Sequence, residues 1–209
     1  MEILEITQLE VSPFASNCYL VKNPTTEQGI VIDPGDEPEL IKRTIQEKNV
    51  NPKQILLTHG HLDHIMAVSN ISNEYDLPVY AHCAEELLLQ NAPSQAMMFG
   101  LPPIEVPVVT DWFNDGDVLK LIGLEIIVLH TPGHSPGGSC FQIGKTIFVG
   151  DTLFQSSIGR TDLPGGDYQQ LINSIKTKLF PLDDDMKVYP GHGDSTTIGL
   201  ERQFNPFLQ

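Results

Sequence analysis

The sequence has few cysteines, and their positions do not suit a disulfide framework. There are three, Cys18, Cys83 and Cys140, which lie far apart without a CxxC pair. An odd number of isolated thiols excludes a small domain held together by disulfides. Because disulfides are rare in reducing compartments, we expect all three thiols to be reduced and the protein to reside in such a compartment.

Segments for export or membrane insertion are also lacking. No apolar run approaches the roughly 20 residues that a membrane-spanning helix needs. The first ten residues, MEILEITQLE, are acidic and lack the basic segment and small-residue cleavage site of a signal peptide. These features predict a cytoplasmic protein without a membrane partner.

Basic residues are scarce. Lysine and arginine together number 12 against 27 acidic residues, which gives a formal net charge of −15. Such a field repels nucleic acid and anionic membrane surfaces, so we expect neither as a partner. Bound divalent cations would offset part of the charge, and a small molecule is the expected partner. The sequence carries no signal for an oligomeric state.

Internal repeats, low-complexity tracts and long linkers are absent, and 209 residues suit a single domain over 1–209. Short runs rich in Ile and Val predict buried strands, and periodic apolar patterns between them predict helices. The predicted strands are Gly29 to Ile32, Gln54 to Thr58, Glu125 to Leu129, Thr146 to Val149 and Lys187 to Tyr189. The predicted helices are Glu37 to Lys48, Ile65 to Glu74, Glu85 to Gln90 and Tyr168 to Phe180. The pattern indicates a mixed α/β chain whose helices cover sheets.

Four of these strands are followed, within a few residues, by a residue that can bind a metal. The residues are His59, His134, Asp151 and His192, in the contexts THGH, TPGH, GD and PGHG. In α/β proteins, sites form in the loops at strand ends. We expect the four side chains to converge if these strand ends lie on one edge.

The stretch LLTHGHLDH, residues 56–64, places three histidines and an aspartate in one loop. Neutral imidazole and carboxylate groups suit zinc, iron and manganese. His59 and His61 can bind one ion, which leaves Asp63 and His64 to bind a second. Packing is a poor alternative explanation, because each of these polar groups would need its own hydrogen-bond partner when buried.

The ordered motifs THGHLDH, TPGH, GDTLF and PGHG resemble the metallo-β-lactamase fold superfamily, in its glyoxalase II-like branch. The resemblance runs from about Val31 to the C-terminus. It implies an αββα sandwich, in which two mixed β-sheets are flanked by helices. It also implies two metal sites with a shared ligand: His59, His61 and His134 for one ion, Asp63, His64 and His192 for the other, and Asp151 as the bridge.

The implied activity is hydrolysis. Two divalent ions, zinc first with iron or manganese as alternatives, would lower the pKa of a bound water to about 7 and polarise a carbonyl. Asp63 and Asp151 would have the catalytic role of holding the metals around that water. A thioester suits the site because its thiolate, with a conjugate-acid pKa of about 8.5, leaves without a strong acid. The resemblance thus implies hydrolysis of a hydroxyacylglutathione such as S-lactoylglutathione by a metal-bound hydroxide.

The sequence departs from the long form of glyoxalase II. After His192 the chain continues only to residue 209, which predicts no helical C-terminal extension to contact glutathione. The family's substrate-binding cation falls on Arg160, which keeps the charge. Its two glutathione-contacting tyrosines fall on Asp162 and Asp194, which cannot donate a phenolic hydrogen bond. The resemblance to glyoxalase II therefore supports the metal chemistry more strongly than it supports recognition of glutathione. Asp151 also stands where β-lactamase members often have cysteine, which argues against antibiotic hydrolysis.

Two alternative functions stay open. Persulfide dioxygenases of the same superfamily carry a GRTD segment like residues 159–162, and they use one iron and O₂. The PGHG around His192, without an alanine before the histidine, favours the hydrolase. A metal-binding relative without activity is the second alternative, and the intact set of seven ligands argues against it.

The segment GHSPG, residues 133–137, matches the G-x-S-x-G pattern of a serine nucleophile. A strand rather than a helix is predicted after it, so we do not expect Ser135 to be a nucleophile. Of the two remaining histidines, His82 is predicted to be a helix cap or a surface residue. His130 is predicted to pack in the core or at an edge, with orientation of a metal ligand as the alternative.

Two other features have a structural and a functional interpretation. Arg160 and Asp162 are predicted to pair and brace their loop, with binding of a substrate anion by Arg160 as the alternative. Met97 to Phe99 is predicted to be a packed loop, with a hydrophobic wall for substrate as the alternative.

Overall fold

The computed structural model describes residues 4–209 and contains two six-stranded sheets. The first sheet has the spatial order β1 to β6, antiparallel from β1 to β3 and parallel from β3 to β6. Its strands are β1 Glu5–Val11, β2 Ser16–Lys22, β3 Gln28–Ile32, β4 Asn51–Leu56, β5 Val79–His82 and β6 Asp111–Phe113. The parallel pairs require crossover connections, which the helices supply.

The second sheet has the order β14-β13-β10-β9-β8-β7. Only β10 and β13 run parallel; the other neighbours are antiparallel. Strands β11 and β12 form a separate two-stranded ribbon. These strands are β7 Val118–Leu121, β8 Leu124–His130, β9 Ser139–Ile143, β10 Thr146–Gly150, β11 Leu153–Phe154, β12 Ser157–Ile158, β13 Lys187–Pro190 and β14 Thr196–Thr197.

In the described part of the chain, seven short helices connect and cover the strands. They are α1 Pro38–Glu47, α2 Leu62–Ile65, α3 Val68–Tyr75, α4 Glu86–Gln90, α5 Ala92–Met98, α6 Tyr168–Ser174 and α7 Ile198–Phe204. A 3₁₀ turn, Cys83–Glu85, precedes α4, and a π-helical segment, Ile175–Leu179, continues α6. Within residues 4–209, no helix combines the length and the apolar character needed to cross a bilayer.

The central strands are apolar on both faces, which explains why helices cover the outer face of each sheet. Ile30 and Ile32 of β3 pack between the sheets against Phe141 of β9, whereas Val31 faces the opposite side and packs with Ile41 of α1. Successive side chains of a strand point to opposite faces, so one buried run supplies two cores. The second sheet repeats the arrangement under α6 and the π-helical segment. The predicted αββα sandwich is confirmed.

One predicted helix is interrupted. The segment Ile65 to Glu74 belongs to two helices, α2 and α3, rather than one. The backbone N–H groups of Met66 and Ala67 donate to the carbonyls of Gly35 and Pro34 at 3.1 and 3.0 Å. These contacts to the loop after β3 take the N–H groups that a continuous helix would use within itself. The break makes α2, which carries two of the predicted ligands, a separate helix from α3.

Candidate metal centre

The predicted ligands converge at an edge that both sheets share. His59 follows β4 of the first sheet, whereas His134, Asp151 and His192 follow β8, β10 and β13 of the second. The expected convergence is therefore correct, but a single sheet does not produce it. Backbone hydrogen bonds join the sheets at this edge, from Ser139 N to Thr58 O at 2.9 Å and from Asn17 N to Gly191 O at 2.7 Å.

The first group of donors is His59, His61 and His134, all buried. Nε2 of His134 lies 3.2 Å from Nε2 of His59 and 2.8 Å from Nδ1 of His61. Their ring planes are nearly perpendicular, and one nitrogen of each ring lies within 4.8 Å of the other two. The separations are near the roughly 3.3 Å expected between donors of a tetrahedral ion with bonds of about 2.0 Å.

The second group is Asp63, His64 and His192. Oδ2 of Asp63 lies 3.4 Å from Nε2 of His64 and 3.2 Å from Nε2 of His192. Asp63 and His64 lie on α2, whereas His192 comes from the loop after β13. Because α2 begins directly after His61, two donors of the second group follow a donor of the first almost immediately along the chain.

Asp151 lies between the two groups. Its Oδ2 is 3.5 Å from Nε2 of His134 in the first group and 3.5 Å from Nε2 of His192 in the second. Its Oδ1 faces Nε2 of His64, also at 3.5 Å. Within residues 4–209, His64 Nε2 and Asp151 Oδ1 are buried without a hydrogen-bond partner. Unsatisfied buried donors and acceptors are costly, and bound cations would satisfy both atoms, so the residues present fit two divalent ions.

Hydrogen bonds behind the site fix which nitrogen of each ring faces it. His134 Nδ1 lies 2.7 Å from the Arg160 carbonyl, and His192 Nδ1 lies 3.1 Å from the Ala15 carbonyl. A carbonyl only accepts, so each Nδ1 carries a proton and Nε2 is the nitrogen left to face the site. His59 Nδ1 is similarly 3.0 Å from the Thr58 hydroxyl.

Sequence reasoning missed Asp33. Its Oδ2 accepts from Nδ1 of His64 at 3.1 Å and from the Thr58 hydroxyl at 2.6 Å, and its Oδ1 accepts the Thr58 N–H at 2.8 Å. Because the Thr58 proton goes to the carboxylate, the hydroxyl oxygen accepts from His59. The signal was present, since Asp33 directly follows the predicted strand Gly29 to Ile32, as the other four residues follow theirs.

Glu85 was also missed. The residue is 1% exposed. It accepts the N–H of Gly60 at 2.6 Å, between His59 and His61, and the N–H of Gly137 at 2.5 Å, just after His134. One buried side chain thus joins the two loops that supply the first group. No local pattern could have shown this, because Gly137 lies 52 residues away in sequence.

The protonation preferences differ between the two groups. Burial lowers the pKa of His61 to about 3 and that of His59 well below its usual range, and neighbouring imidazoles add to the effect. Both rings are therefore neutral, as metal ligands must be. Burial also disfavours charge on His192, but its hydrogen bonds to Asp151 and Asp63 outweigh this and raise its pKa to about 10. The second group thus holds a proton that a metal would displace.

A cavity of about 540 Å³ opens over the predicted ligands. Its apolar lining comes from three parts of the chain. Phe14 lies in the β1–β2 hairpin. Leu88 lies on α4, Met98 ends α5 and Phe99 follows it, and Leu163 and Pro164 lie in the loop beyond Arg160. This volume falls in the usual range for small-molecule sites. Apart from the predicted metal ligands, its lining is mainly apolar.

The other sequence predictions have mixed outcomes. Arg160 lines the cavity, and its Nε and Nη2 donate to the two oxygens of Asp162 at 2.7 Å each, so the predicted pair is present. The prediction of a packed loop at Met97 to Phe99 is wrong. Met97 and Met98 end α5, and Met98 is 77% exposed while lining the cavity.

Ser135 and the two remaining histidines have structural roles. Ser135 is fully buried and strand β9 follows it, as the sequence predicted, so it has neither the exposure nor the setting of a nucleophile. His82 caps the 3₁₀ turn by accepting the N–H of Ala84 at 3.2 Å. His130 stacks on His82 with ring centroids 4.0 Å apart, and it lies outside the donor groups.

Comparison with known proteins agrees with this fold. The family model described as the metallo-beta-lactamase superfamily matches residues 11–192. The chain is 43% identical over 209 residues to hydroxyacylglutathione hydrolase GloC of Haemophilus influenzae, covering 98% of each protein.

Two solved structures are similar over nearly the whole chain. BLEG-1 B3 metallo-beta-lactamase has a TM-score of 0.92 and 36% identity, and the match covers 98% of this chain and 100% of that one. TTHA1623 in a di-iron-bound form has a TM-score of 0.88 and 41% identity, with coverage of 97% and 100%. Since the family model spans all seven predicted ligands and the αββα fold matches as well, the chain belongs to the metallo-β-lactamase superfamily and is a metallohydrolase of that family.

Proposed function

We propose that this protein hydrolyses acyl thioesters, with hydroxyacylglutathiones such as S-lactoylglutathione as the reference substrates. The observation that carries the proposal is the position of Asp151, whose carboxylate reaches His134 on one side and His64 and His192 on the other. The proposed ligands of one ion are His59, His61 and His134. Those of the other are Asp63, His64 and His192, with Asp151 shared.

When bound, two divalent ions would lower the pKa of water to about 7 and polarise a carbonyl. The chain's own residues orient the donors. Thr58, Arg160 and Ala15 hold the Nδ1 protons of three histidines, so each Nε2 faces the site. Asp63 and Asp151 supply the carboxylates that keep the two sites adjacent. We propose zinc as the metal, with iron as the alternative suggested by the di-iron form of TTHA1623.

The side chains that line the cavity favour a substrate whose leaving group departs without being protonated. Beyond the proposed ligands, the polar side chains of the lining are Asn91, Ser94, Gln95 and Arg160. None of these side chains is an acid that could protonate a poor leaving group near pH 7. A thiolate leaves without such help. The similarity to GloC over the full chain adds to this support.

The proposed partner is therefore a small molecule rather than nucleic acid, given the net charge of −15. We also propose that the protein acts in the cytoplasm, with its thiols reduced. All three cysteines are free, and two of them, Cys18 and Cys140, are buried.

Hydrolysis of β-lactams is a second candidate, because a structure with a TM-score of 0.92 is described as a B3 metallo-beta-lactamase. The test is a comparison of substrates on metal-replete protein, with a chelator-treated sample beside each. S-lactoylglutathione is followed by its thioester absorbance, nitrocefin by its colour change, and glutathione persulfide by O₂ consumption.

Chelator-sensitive loss of the thioester, well above background, is the expected result. Nitrocefin turnover alone would favour the β-lactamase. O₂ consumption alone would favour a persulfide dioxygenase. Bound metal without turnover of any of the three would favour an inactive metal-binding relative. Each of these last three results contradicts the proposed function.

A further inference from the structure

The cavity has an unusually exposed apolar side. Phe14 at the tip of the β1–β2 hairpin and Phe99 after α5 contact each other edge to face, with ring centroids 5.4 Å apart. Both line the cavity, as does Met98. Phe99 and Met98 are 50% and 77% exposed. Large apolar side chains clustered at a cavity with this exposure mark a surface that a ligand covers.

Polar groups that could recognise a charged tripeptide are few among the residues that line the cavity. The amide of Gln95 donates to the carbonyl of Leu88 at 2.9 Å, and that of Asn91 donates to the carbonyl of Leu87 at 2.8 Å. Arg160 is the cation of the lining, and its charge is already paired with Asp162 through two hydrogen bonds. The cavity lining therefore offers few groups that could neutralise the charge of a substrate with two free carboxylates.

From this contrast we infer that the preferred substrate is a thioester carrying an extended apolar acyl group, which packs against Phe14, Met98 and Phe99. The inference rests on the proposed function and specifies its substrate class. The two aromatic rings act as specificity-determining residues, since they contact the part of the substrate away from the scissile bond. Lactoylglutathione, with a small polar acyl group, would then be a permitted but poorer substrate.

The test is a chain-length series on a constant thiol. Hydrolysis of acetyl, butyryl, hexanoyl and octanoyl thioesters of N-acetylcysteamine is compared with that of S-lactoylglutathione. Burial of each added methylene is expected to raise kcat/KM about two- to fourfold. In the Phe99→Ser variant, the octanoyl-to-acetyl ratio of kcat/KM is expected to fall about fivefold or more. Phe204→Ser is the matched control, because Phe204 is 62% exposed and lies outside the cavity lining.

Binding supplies a readout that does not depend on turnover. Metal-free protein is titrated calorimetrically with S-ethyl- and S-octyl-N-acetylcysteamine, thioethers that cannot be hydrolysed. The octyl compound is expected to bind at least about tenfold more tightly, and Phe99→Ser to reduce that difference. Equal affinities, or a rate series without dependence on chain length, would overturn the inference while leaving thioester hydrolysis intact. Absence of hydrolysis with every thioester would instead overturn the proposed function.

Discussion

The carboxylate of Asp33 lies 3.1 Å from Nδ1 of His64, and the same carboxylate holds the backbone and hydroxyl of Thr58. The ring of His64 therefore presents Nε2 to Asp151. Through Thr58, the contact extends to Nδ1 of His59. One buried carboxylate thus orients a histidine in each of the two donor groups.

Replacing Asp33 tests this arrangement. Asp33→Asn keeps the shape but turns one accepting oxygen into a donating amide, so it cannot accept all three hydrogen bonds. We expect metal affinity to fall about 10- to 100-fold, measured by competition with a chromogenic chelator. Asp76→Asn is the control, since Asp76 is exposed and its φ of 51° is tolerated by asparagine. Unchanged affinity in Asp33→Asn would show that the contact does not orient the ligands.

The shared position of Asp151 leads to a second prediction. Asp151→Ala removes the carboxylate that both groups face, so we expect bound metal to fall from two ions to one or none and turnover to fall at least about 100-fold. His61→Ala is expected to abolish turnover as well. Metal content is measured by elemental analysis, and circular dichroism checks that the fold is retained. His130→Gln is the matched control, because His130 lies outside both groups. Full activity in Asp151→Ala or His61→Ala would refute the site assignment.

Metal binding should release protons. Carboxylates around His64 outweigh its burial and raise its pKa well above the usual range, and the pKa of His192 is raised to about 10. Both rings are protonated at pH 7 in the metal-free protein, and ligation requires them neutral. We expect metal affinity to increase with pH from about 6 toward 10. The charged rings stabilise the metal-free fold fully below about pH 6.5, and this stabilisation is lost as pH rises through the folded-state pKa.

Titration calorimetry in buffers of different ionisation enthalpy measures the released protons directly. The apparent binding enthalpy should vary with the buffer. A buffer-independent enthalpy at pH 7 would contradict proton release.

Glu85 links the two loops of the first donor group, so its loss should affect both stability and metal binding. Glu85→Ala leaves the N–H groups of Gly60 and Gly137 buried without an acceptor. We expect the free energy of unfolding in urea to decrease by about 3 kcal/mol, together with weaker metal binding. Glu86→Ala is the control, since Glu86 is the exposed neighbouring residue. A loss below about 1 kcal/mol would mean that water replaces the carboxylate.

Local signals in the sequence allowed much of the fold to be predicted. Apolar runs of five residues or so gave the central strands, because residues buried on both faces of a sheet leave a continuous run. Helix bounds were predicted less accurately, as the division of Ile65 to Glu74 between two helices shows. The break between α2 and α3 depends on Gly35 and Pro34, whose carbonyls capture two N–H groups from a different part of the chain.

The sequence by itself determined which donors to expect, because residues that can bind a metal are chemically distinctive and form short local motifs. Only the tertiary structure decided how those donors meet. It showed that both sheets share the edge, that Asp33 and Glu85 support the ligands, and that Met98 is exposed at the cavity rather than packed. The physical reason is that hydrogen bonding and burial depend on residues far apart in sequence, whereas residue type and periodicity are properties of a short segment.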